Sequence, residues 1–339
     1  MPIAAVLFAA GRGERLRPLT DEIAKPALPV LDVPLAVFGL RRLLAIAPAV
    51  VMNVRHLPRS VTAAVAPYVP RKAGFETLYE TPAAYGTAGT LAALRDRISG
   101  RVVTHNADVL TDLDPAALRD FHTAAGCLAT VAVREVNEGA DFELRGDRAV
   151  RFVDRRRSVG GPGGVFIGVA VFEREALDLL PEARPAGLGE TLLASLAARG
   201  DLAVYRHEGY ARDVGSPRDY LEGSLDLLWG RGPRPPDGSW PGEVIEVPGG
   251  RAYVGVGAVY PRDGLGPGGI LLAGSTVAEG ARVERAIVWP GETVPSGVTV
   301  SDSIWCRGAI PARGVRPLSM DTGRPATEGP DDEPPQDRS

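Results

Sequence analysis

Asp108 closes the run Val102-Val103-Thr104-His105-Asn106-Ala107-Asp108, and Asp213 opens Asp213-Val214-Gly215-Ser216-Pro217 about a hundred residues later. Read with the glycine-rich opening Phe8-Ala9-Ala10-Gly11-Arg12-Gly13-Glu14-Arg15-Leu16, these acids outline a phosphate and divalent-cation site. The glycines let backbone N–H groups approach phosphate oxygens, and carboxylates supply the hard oxygen ligands such a cation requires. Downstream, Lys25 stands alone between Ala24 and the extended Pro26-Ala27-Leu28-Pro29. Arg15 brings a bidentate fork and Lys25 a point charge, a division of labour that suits a triphosphate and a separate monophosphate. The glycine loop meets neither of two better-known fingerprints: Leu16 stands where a dinucleotide fold wants a third glycine, and no Gly-Lys-Ser/Thr follows. Nor does a Ser/His/Asp or Cys/His set emerge, so the chemistry expected is positioning and charge neutralisation without a protein nucleophile.

The elements that must position these residues are legible in the hydrophobic pattern. Strands are predicted at 3–8, 49–54, 75–79, 101–104, 128–133 and 165–171, alternating with helix-like stretches. That rhythm predicts a layered α/β domain with a mainly parallel sheet over residues 1–229. Asp114-Pro115 and Ser216-Pro217 each put a capping side chain before a proline at the first helical position. Both acids therefore fall in loops at the carboxyl ends of strands, where open α/β sheets bind ligands. With Ser216 serving as the cap, Asp213 is left for another role. From Gly230 the composition turns to glycine and proline, and residues 230–243 read as a linker. Beyond it, Leu271, Val277, Val283, Trp289, Val294 and Val300 recur about every six positions, with Gly274, Gly280, Gly291 and Gly297 between them. This is a hexapeptide β-helix of few coils over 244–314, in which each coil buries its apolar corner only by stacking on the next. Residues 315–339 are acidic and proline-rich and read as a disordered tail.

Composition narrows the partners. A net charge of −4 and a pI near 5.7 give no global field for nucleic acid, although a local basic cleft for small phosphates fits that balance. The first apolar run lacks a basic flank and is too short to span a membrane, and only Cys127 and Cys306 are present, outside any CxxC pattern. A cytoplasmic location without membrane contact is expected. His56 and His105, beside strand ends, read as structural hydrogen-bonding groups, and Arg155-Arg156-Arg157 as a solvated hairpin tip.

The ordered set Gly11, Gly13, Arg15, Pro18, Thr20, Lys25, Pro26, then Asp108, then Asp213-Val214-Gly215-Ser216-Pro217 resembles the nucleoside-diphosphate-sugar pyrophosphorylases, the sugar-1-phosphate nucleotidyltransferases. The resemblance implies a Rossmann-like (GT-A-like) nucleotidyltransferase domain, and a left-handed β-helix of hexapeptide repeats is common behind it. It further implies that Ala9, Ala10, Gly11 and Gly13 bind nucleotide phosphates, Arg15 stabilises departing pyrophosphate, and Lys25 holds the sugar phosphate. Asp108 and Asp213 would hold Mg²⁺, Gly86, Thr87 and Ala88 would lie against the nucleobase, and Gly168 and Glu190 would meet the sugar. Ala107 in place of glycine, Ser216 in place of threonine and Ala24 in place of proline depart from the family pattern, but none removes a charge. The implied reaction transfers a nucleotidyl group from a nucleoside triphosphate to a sugar 1-phosphate, releasing pyrophosphate.

Gly86-Thr87-Ala88-Gly89 and the repeat tail point toward mannose-1-phosphate guanylyltransferases, whereas Met52-Asn53-Val54-Arg55-His56-Leu57 points toward muramate-1-phosphate uridylyltransferases. A uridylyl or thymidylyl transfer to muramate, glucose or heptose 1-phosphate therefore stays open. So does a non-catalytic nucleotide-sugar sensor, while an added acyltransferase is disfavoured because no histidine follows His207. Exposed coil ends favour a homo-oligomer through the β-helix.

Overall fold

A computed structural model describes residues 2–153 and 161–311. The arginine triplet at 155–157 and the tail at 315–339 lie outside the described residues. In chain order the first half comprises β1 (Ala5–Phe8), the short hairpin β2 (Pro29–Val30) and β3 (Val33–Pro34), β4 (Ala49–Val54), β5 (Gly74–Tyr79), β6 (Val102–Asn106) and β7 (Val109–Thr111). There follow β8 (Ala129–Val136), β9 (Phe142–Arg145), β10 (Arg148–Phe152), β11 (Gly163–Phe172), β12 (Leu202–Arg206) and β13 (Ala211–Asp213). Six α-helices accompany them among the described residues: α1 (Leu35–Ile46), α2 (Pro58–Val65), α3 (Gly86–Leu94), α4 (Pro115–Ala125), α5 (Ala194–Arg199) and α6 (Pro217–Leu228).

The central sheet runs β5-β4-β1-β6-β11-β8-β12-β10-β9. Its β5-β4-β1-β6 half is parallel, so the loops after Phe8, Val54, Tyr79 and Asn106 open on one edge. Strand alternation sends Ala5, Leu7, Val50 and Met52 into a cluster with α1 and α2, and Val6, Val51 and Val102 into another with α3 and α5. Apolar helices on both faces explain why β4 is buried along its whole length. The expectation of a mainly parallel sheet needs correction. β11 is antiparallel to β6 and to β8, and β10 is antiparallel to β9 and β12. The chain returns from β8 to β11 through the β9-β10 hairpin, with no crossover helix of the kind a parallel neighbour needs among the described residues. Between Phe166 and Ala170 the β11–β8 register shifts, bulging β11 around Gly168.

After Gly230 the chain forms β14 (Glu243–Val247), β15 (Gly250–Val254), β16 (Gly269–Leu271), β17 (Thr276–Val277), β18 (Arg282–Glu284), β19 (Ala286–Val288), β20 (Thr293–Val294), β21 (Thr299–Ser301), β22 (Ser303–Trp305) and β23 (Ala309–Pro311). Three parallel ladders stack these strands: β16-β19-β22, β17-β20 and β18-β21. Partners such as Leu271 and Val288, Thr276 and Thr293, or Arg282 and Thr299 sit 17 positions apart. The coil therefore uses 17 residues rather than three full hexapeptides, which corrects one assignment. Val288, fully buried, stacks between Leu271 and Trp305, whereas Trp289 faces outward onto Tyr220 of α6 with rings 6.1 Å apart. Gly274, Gly280, Gly291 and Gly297 all take φ between 69° and 75°, the left-handed corners a β-branched residue could not adopt cheaply.

The coil is not an appendage on a tether. Tyr253, Ile270, Leu272, Ile287, Trp289 and Ile304 share one apolar cluster with α1, α6 and the β2-β3 hairpin. Gly255 marks the closest approach: a Cβ there would stand 2.4 Å from Asp32 Oδ2 and 2.6 Å from Ala273 N. Gly255→Ala should destabilise the protein by about 1–3 kcal/mol through overpacking. Urea denaturation checks this, and a midpoint equal to that of the parent would show that the contact is slack.

Candidate active site

The glycine loop leaves β1 at the open sheet edge. Ala9 N–H donates to Asn53 Oδ1 at 2.7 Å, fixing the loop's root, while the N–H groups of residues 10–13 make no hydrogen bond among the described residues. They are free to meet an anion. Leu16, fully buried, anchors the far side. Gly13 sits at φ 67°, and a Cβ there would lie 2.9 Å from Thr20 Cγ2 and 3.0 Å from Lys25 Cβ. Thr20 Oγ1 donates to Gly13 O at 2.8 Å, and His56 Nε2 donates to Thr20 O at 3.0 Å. The glycine loop and the lysine loop are thus packed as one body.

Lys25 is 7% exposed, and its Nζ reaches Asp108 Oδ2 at 2.5 Å and Asp213 Oδ1 at 3.6 Å. Two acids distant in sequence therefore converge on one ammonium. The backbone explains how: β7 and β13 pair antiparallel, setting Val109 opposite Asp213, and Val214 N–H donates to Asp108 O at 2.9 Å. Ser216 caps α6 by accepting from Asp219 N–H at 3.2 Å, so Asp213 is spared from capping as its spacing suggested. Burial and then the facing Asp108 raise the Asp213 carboxyl above its ordinary range, with Lys25 and Arg15 opposing. Arg15 closes the group: a Cβ on Gly215 would lie 2.8 Å from Arg15 Nη2, so that glycine admits the guanidinium beside Asp213.

Among the described residues no cluster of three or more His, Cys, Asp or Glu could hold a metal ion. Two carboxylates suit a hard divalent cation that takes its remaining oxygens from phosphates and water. The donor set of Asp108 and Asp213 fits such an ion.

Asp108 and Asp213 also line a cavity of about 530 Å³ that runs toward the bulge in β11. Phe8, Phe142, Phe152 and Phe166 contribute apolar wall, and Asn106, Arg134, Asp141 and Glu190 contribute polar groups. Gly168 lies at φ 79° in the bulge, with its Cβ position 3.0 Å from Asn106 Nδ2, so a side chain would fill the cavity. Glu190 rides on a π-helical turn, Gly189–Leu193, and its carboxylate covers Gly187. Gly168 and Glu190 thus share one cavity with the two aspartates.

The Gly86-Thr87-Ala88 turn opens α3. Thr87 lines the same cavity, and its Oγ1 accepts from Leu188 N–H at 2.9 Å. Ala88 is fully buried and donates its N–H to Ala186 O at 2.9 Å, so that amide is already committed. A buried network that the sequence did not announce holds this turn against β1. Asn53 Nδ2 donates to Glu80 Oε1 (2.7 Å) and Thr90 Oγ1 (3.0 Å), Thr90 Oγ1 donates to Glu80 Oε1 (2.6 Å), and Glu80 Oε2 accepts from Tyr85 N–H (2.8 Å). The available signal was an asparagine inside the apolar run Ala49-Val50-Val51-Met52-Asn53-Val54. Arg134 and Asp141 had no comparable signal: Arg134 lies just past the predicted strand at 128–133, and Asp141 in the connection before β9, and neither stands in a motif.

A family model described as Nucleotidyl transferase matches residues 4–229. A mannose-1-phosphate guanylyltransferase of Mycobacterium tuberculosis is 28% identical over 313 residues, covering 88% of this chain and 83% of that protein. Mannose-1-phosphate guanylyltransferase 1 of Arabidopsis thaliana is 26% identical over 316 residues, covering 88% and 85%. The crystal structure of HddC from Yersinia pseudotuberculosis superposes with a TM-score of 0.56 at 16% identity, over 67% of this chain and all of that one. The structural likeness carries the fold, a Rossmann-like nucleotidyltransferase α/β domain.

His105 lies one residue from the cavity wall, but its side chain points to the opposite face of β6, toward Gly39 of α1. Its Nδ1 donates to Asn106 O at 2.7 Å, its Nε2 has no partner, and burial pushes its pKa from 6.5 down to about 4. The unfolded chain takes up a proton near 6.5 that the folded chain refuses until about 4, so stability is lost as pH falls through that window. His105→Gln should reduce the slope of unfolding free energy against pH by up to one proton there, measured by urea denaturation at several pH values. An unchanged slope would show that His105 is not the buried neutral base.

Proposed function

The chain belongs to the nucleotidyl transferase family, and from that premise we propose that it transfers a guanylyl group from GTP to mannose 1-phosphate, releasing pyrophosphate. The observation that carries this reading is the convergence of Lys25, Asp108, Asp213 and Arg15 at the mouth of one cavity. The names of the guanylyltransferase relatives support the base and the sugar. Asp108 and Asp213 would hold Mg²⁺, which when bound supplies charge neutralisation on the phosphates. The free N–H groups of residues 10–13 receive triphosphate oxygens, and Arg15, exposed at the rim, faces the departing pyrophosphate. Lys25 orients the attacking sugar phosphate toward the α-phosphorus for in-line displacement. Asn106, Gly168 and Glu190 line the space for the sugar ring, and Thr87 marks the side from which the nucleobase packs.

Residues 1–229 act as the catalytic domain in this reading, 230–243 as the connection, and 244–314 as a left-handed β-helix whose exposed ends pair copies of the chain. No helix among the described residues is long and apolar enough to cross a membrane; a cytoplasmic biosynthetic role is part of the same proposal.

A matrix of nucleoside triphosphates against sugar 1-phosphates with Mg²⁺, read by pyrophosphate release, should give its strongest signal with GTP and mannose 1-phosphate. Lys25→Ala and Asp108→Asn should each lower kcat by roughly 10²- to 10³-fold with the fold intact by circular dichroism. Retained turnover in either variant, or silence across the matrix with triphosphate binding intact, would sink the assignment.

A further inference from the structure

Lys25 owes its position to a short segment clamped at both ends. Upstream, Ala24 N–H donates to Ser60 Oγ at 3.1 Å. Downstream, Leu28 N–H returns to Lys25 O at 3.1 Å, and Leu35 N–H to Leu28 O at 2.9 Å, which roots the β2-β3 hairpin directly on the lysine turn. The two tip residues of that hairpin, Leu31 and Asp32, adopt φ of 48° and 62°. Two-residue hairpins need left-handed conformations, but leucine adopts them only under constraint.

The coil supplies the constraint. Asp32 Oδ1 accepts from Ala273 N–H at 3.0 Å, and Oδ2 accepts from Tyr253 O–H at 3.0 Å. Tyr253 in turn accepts from Gly242 N–H at 2.9 Å. The missing side chain of Gly255 leaves the room that Asp32 occupies. Tyr220 of α6 donates its hydroxyl to Pro29 O and lies edge-on to Trp289 of the coil. The same helix α6 begins four residues after Asp213 and is tied to the coil again by Arg285 on Glu222 at 2.7 Å. Thus the lysine segment and the helix that follows the second aspartate rest on one rigid stack, although neither reaches the coil through the cavity.

We propose that the coil is part of the catalytic framework and that Asp32 is a positioning residue, acting through the 25–34 segment to hold the Lys25 ammonium against Asp108 and Asp213. The activity arm of its test rests on the proposed function; the labelling arm does not. The chain has two lysines, Lys25 and the exposed Lys72, so the second is an internal standard. Trace acetylation of the full-length protein, followed by peptide mass spectrometry, reads the Lys25:Lys72 labelling ratio. Asp32→Gly, which relieves the backbone and removes both acceptors, should raise that ratio roughly fivefold or more, and Tyr253→Phe should raise it less. Asp32→Asn, which tolerates the left-handed conformation and keeps an acceptor for Ala273, should stay within about twofold of the parent. Leu196→Ala, which destabilises through the opposite apolar cluster, should leave the ratio unchanged. In the productive assay, kcat of Asp32→Gly should fall with KM for the triphosphate nearly constant, and Asp32→Asn should restore it.

An unchanged ratio in folded Asp32→Gly overturns the proposal, as does an equal rise in Leu196→Ala. Should Asp32→Gly fail to fold, an unchanged ratio in Tyr253→Phe overturns it equally. A parent protein without turnover on any substrate pair sinks the proposed function alone, and the labelling ratio still decides the positioning role.

Discussion

A buried ammonium held between two carboxylates is the constraint around which the catalytic half is arranged. Partial desolvation by its neighbours and then the facing Asp108 raise the Asp213 carboxyl above its ordinary range. A cation between them offsets that repulsion. Lys25 supplies that cation at 2.5 and 3.6 Å, and Arg15 adds a second positive group at the rim. A divalent ion and polyphosphate fit the same balance, because the ion offsets part of the phosphate charge and Lys25 and Arg15 face the remainder. The exposures agree with this division: the lysine is buried, whereas the side chains of Asp108 and Asp213 are 32% and 61% exposed and reachable by incoming groups.

Holding three charged groups in that relation requires backbone from three distant stretches. The parallel order β4-β1-β6 delivers the glycine loop and Asp108 to one edge, and the two-stranded β7-β13 ladder brings Asp213 to the same point. The antiparallel β11 adds the cavity wall: its register against β8 shifts between Phe166 and Ala170, and Ile167 and Gly168 within that stretch line the same space as Asp108 and Asp213.

Much of this was readable from residues 8–26 and the two aspartate motifs, because the chemistry there depends on side-chain type and short spacing. Six strands and the capping roles of Asp114 and Ser216 were legible for the same reason. What stayed hidden depends on long-range pairing. β9, β10, β12 and β13 are short, and β7 follows Asp108 too closely to be separated by pattern. The six-residue rhythm located the coil, but the true repeat of 17 shifts the inward position from Trp289 to Val288, and only stacking reveals the slip. The contact between Asp32 and Ala273 spans 241 positions and leaves no local trace beyond an aspartate in a tight turn.

The choice of lysine at position 25 follows from the same geometry. Lysine and arginine together number 38, and lysine fills only positions 25 and 72, so arginine is this chain's ordinary source of positive charge. A guanidinium at 25 would bring a planar fork to the point where Lys25 Nζ now stands 2.5 Å from Asp108 and 3.6 Å from Asp213. It would also bind one carboxylate in bidentate fashion and hold it, whereas an ammonium bridges two acids through separate donors and can turn toward a phosphate when one enters. At the open rim, where Arg15 stands, the fork has room and matches the oxygens of a polyphosphate. At position 25 the chain departs from its own compositional habit, where a compact, reorientable charge sits inside the fold.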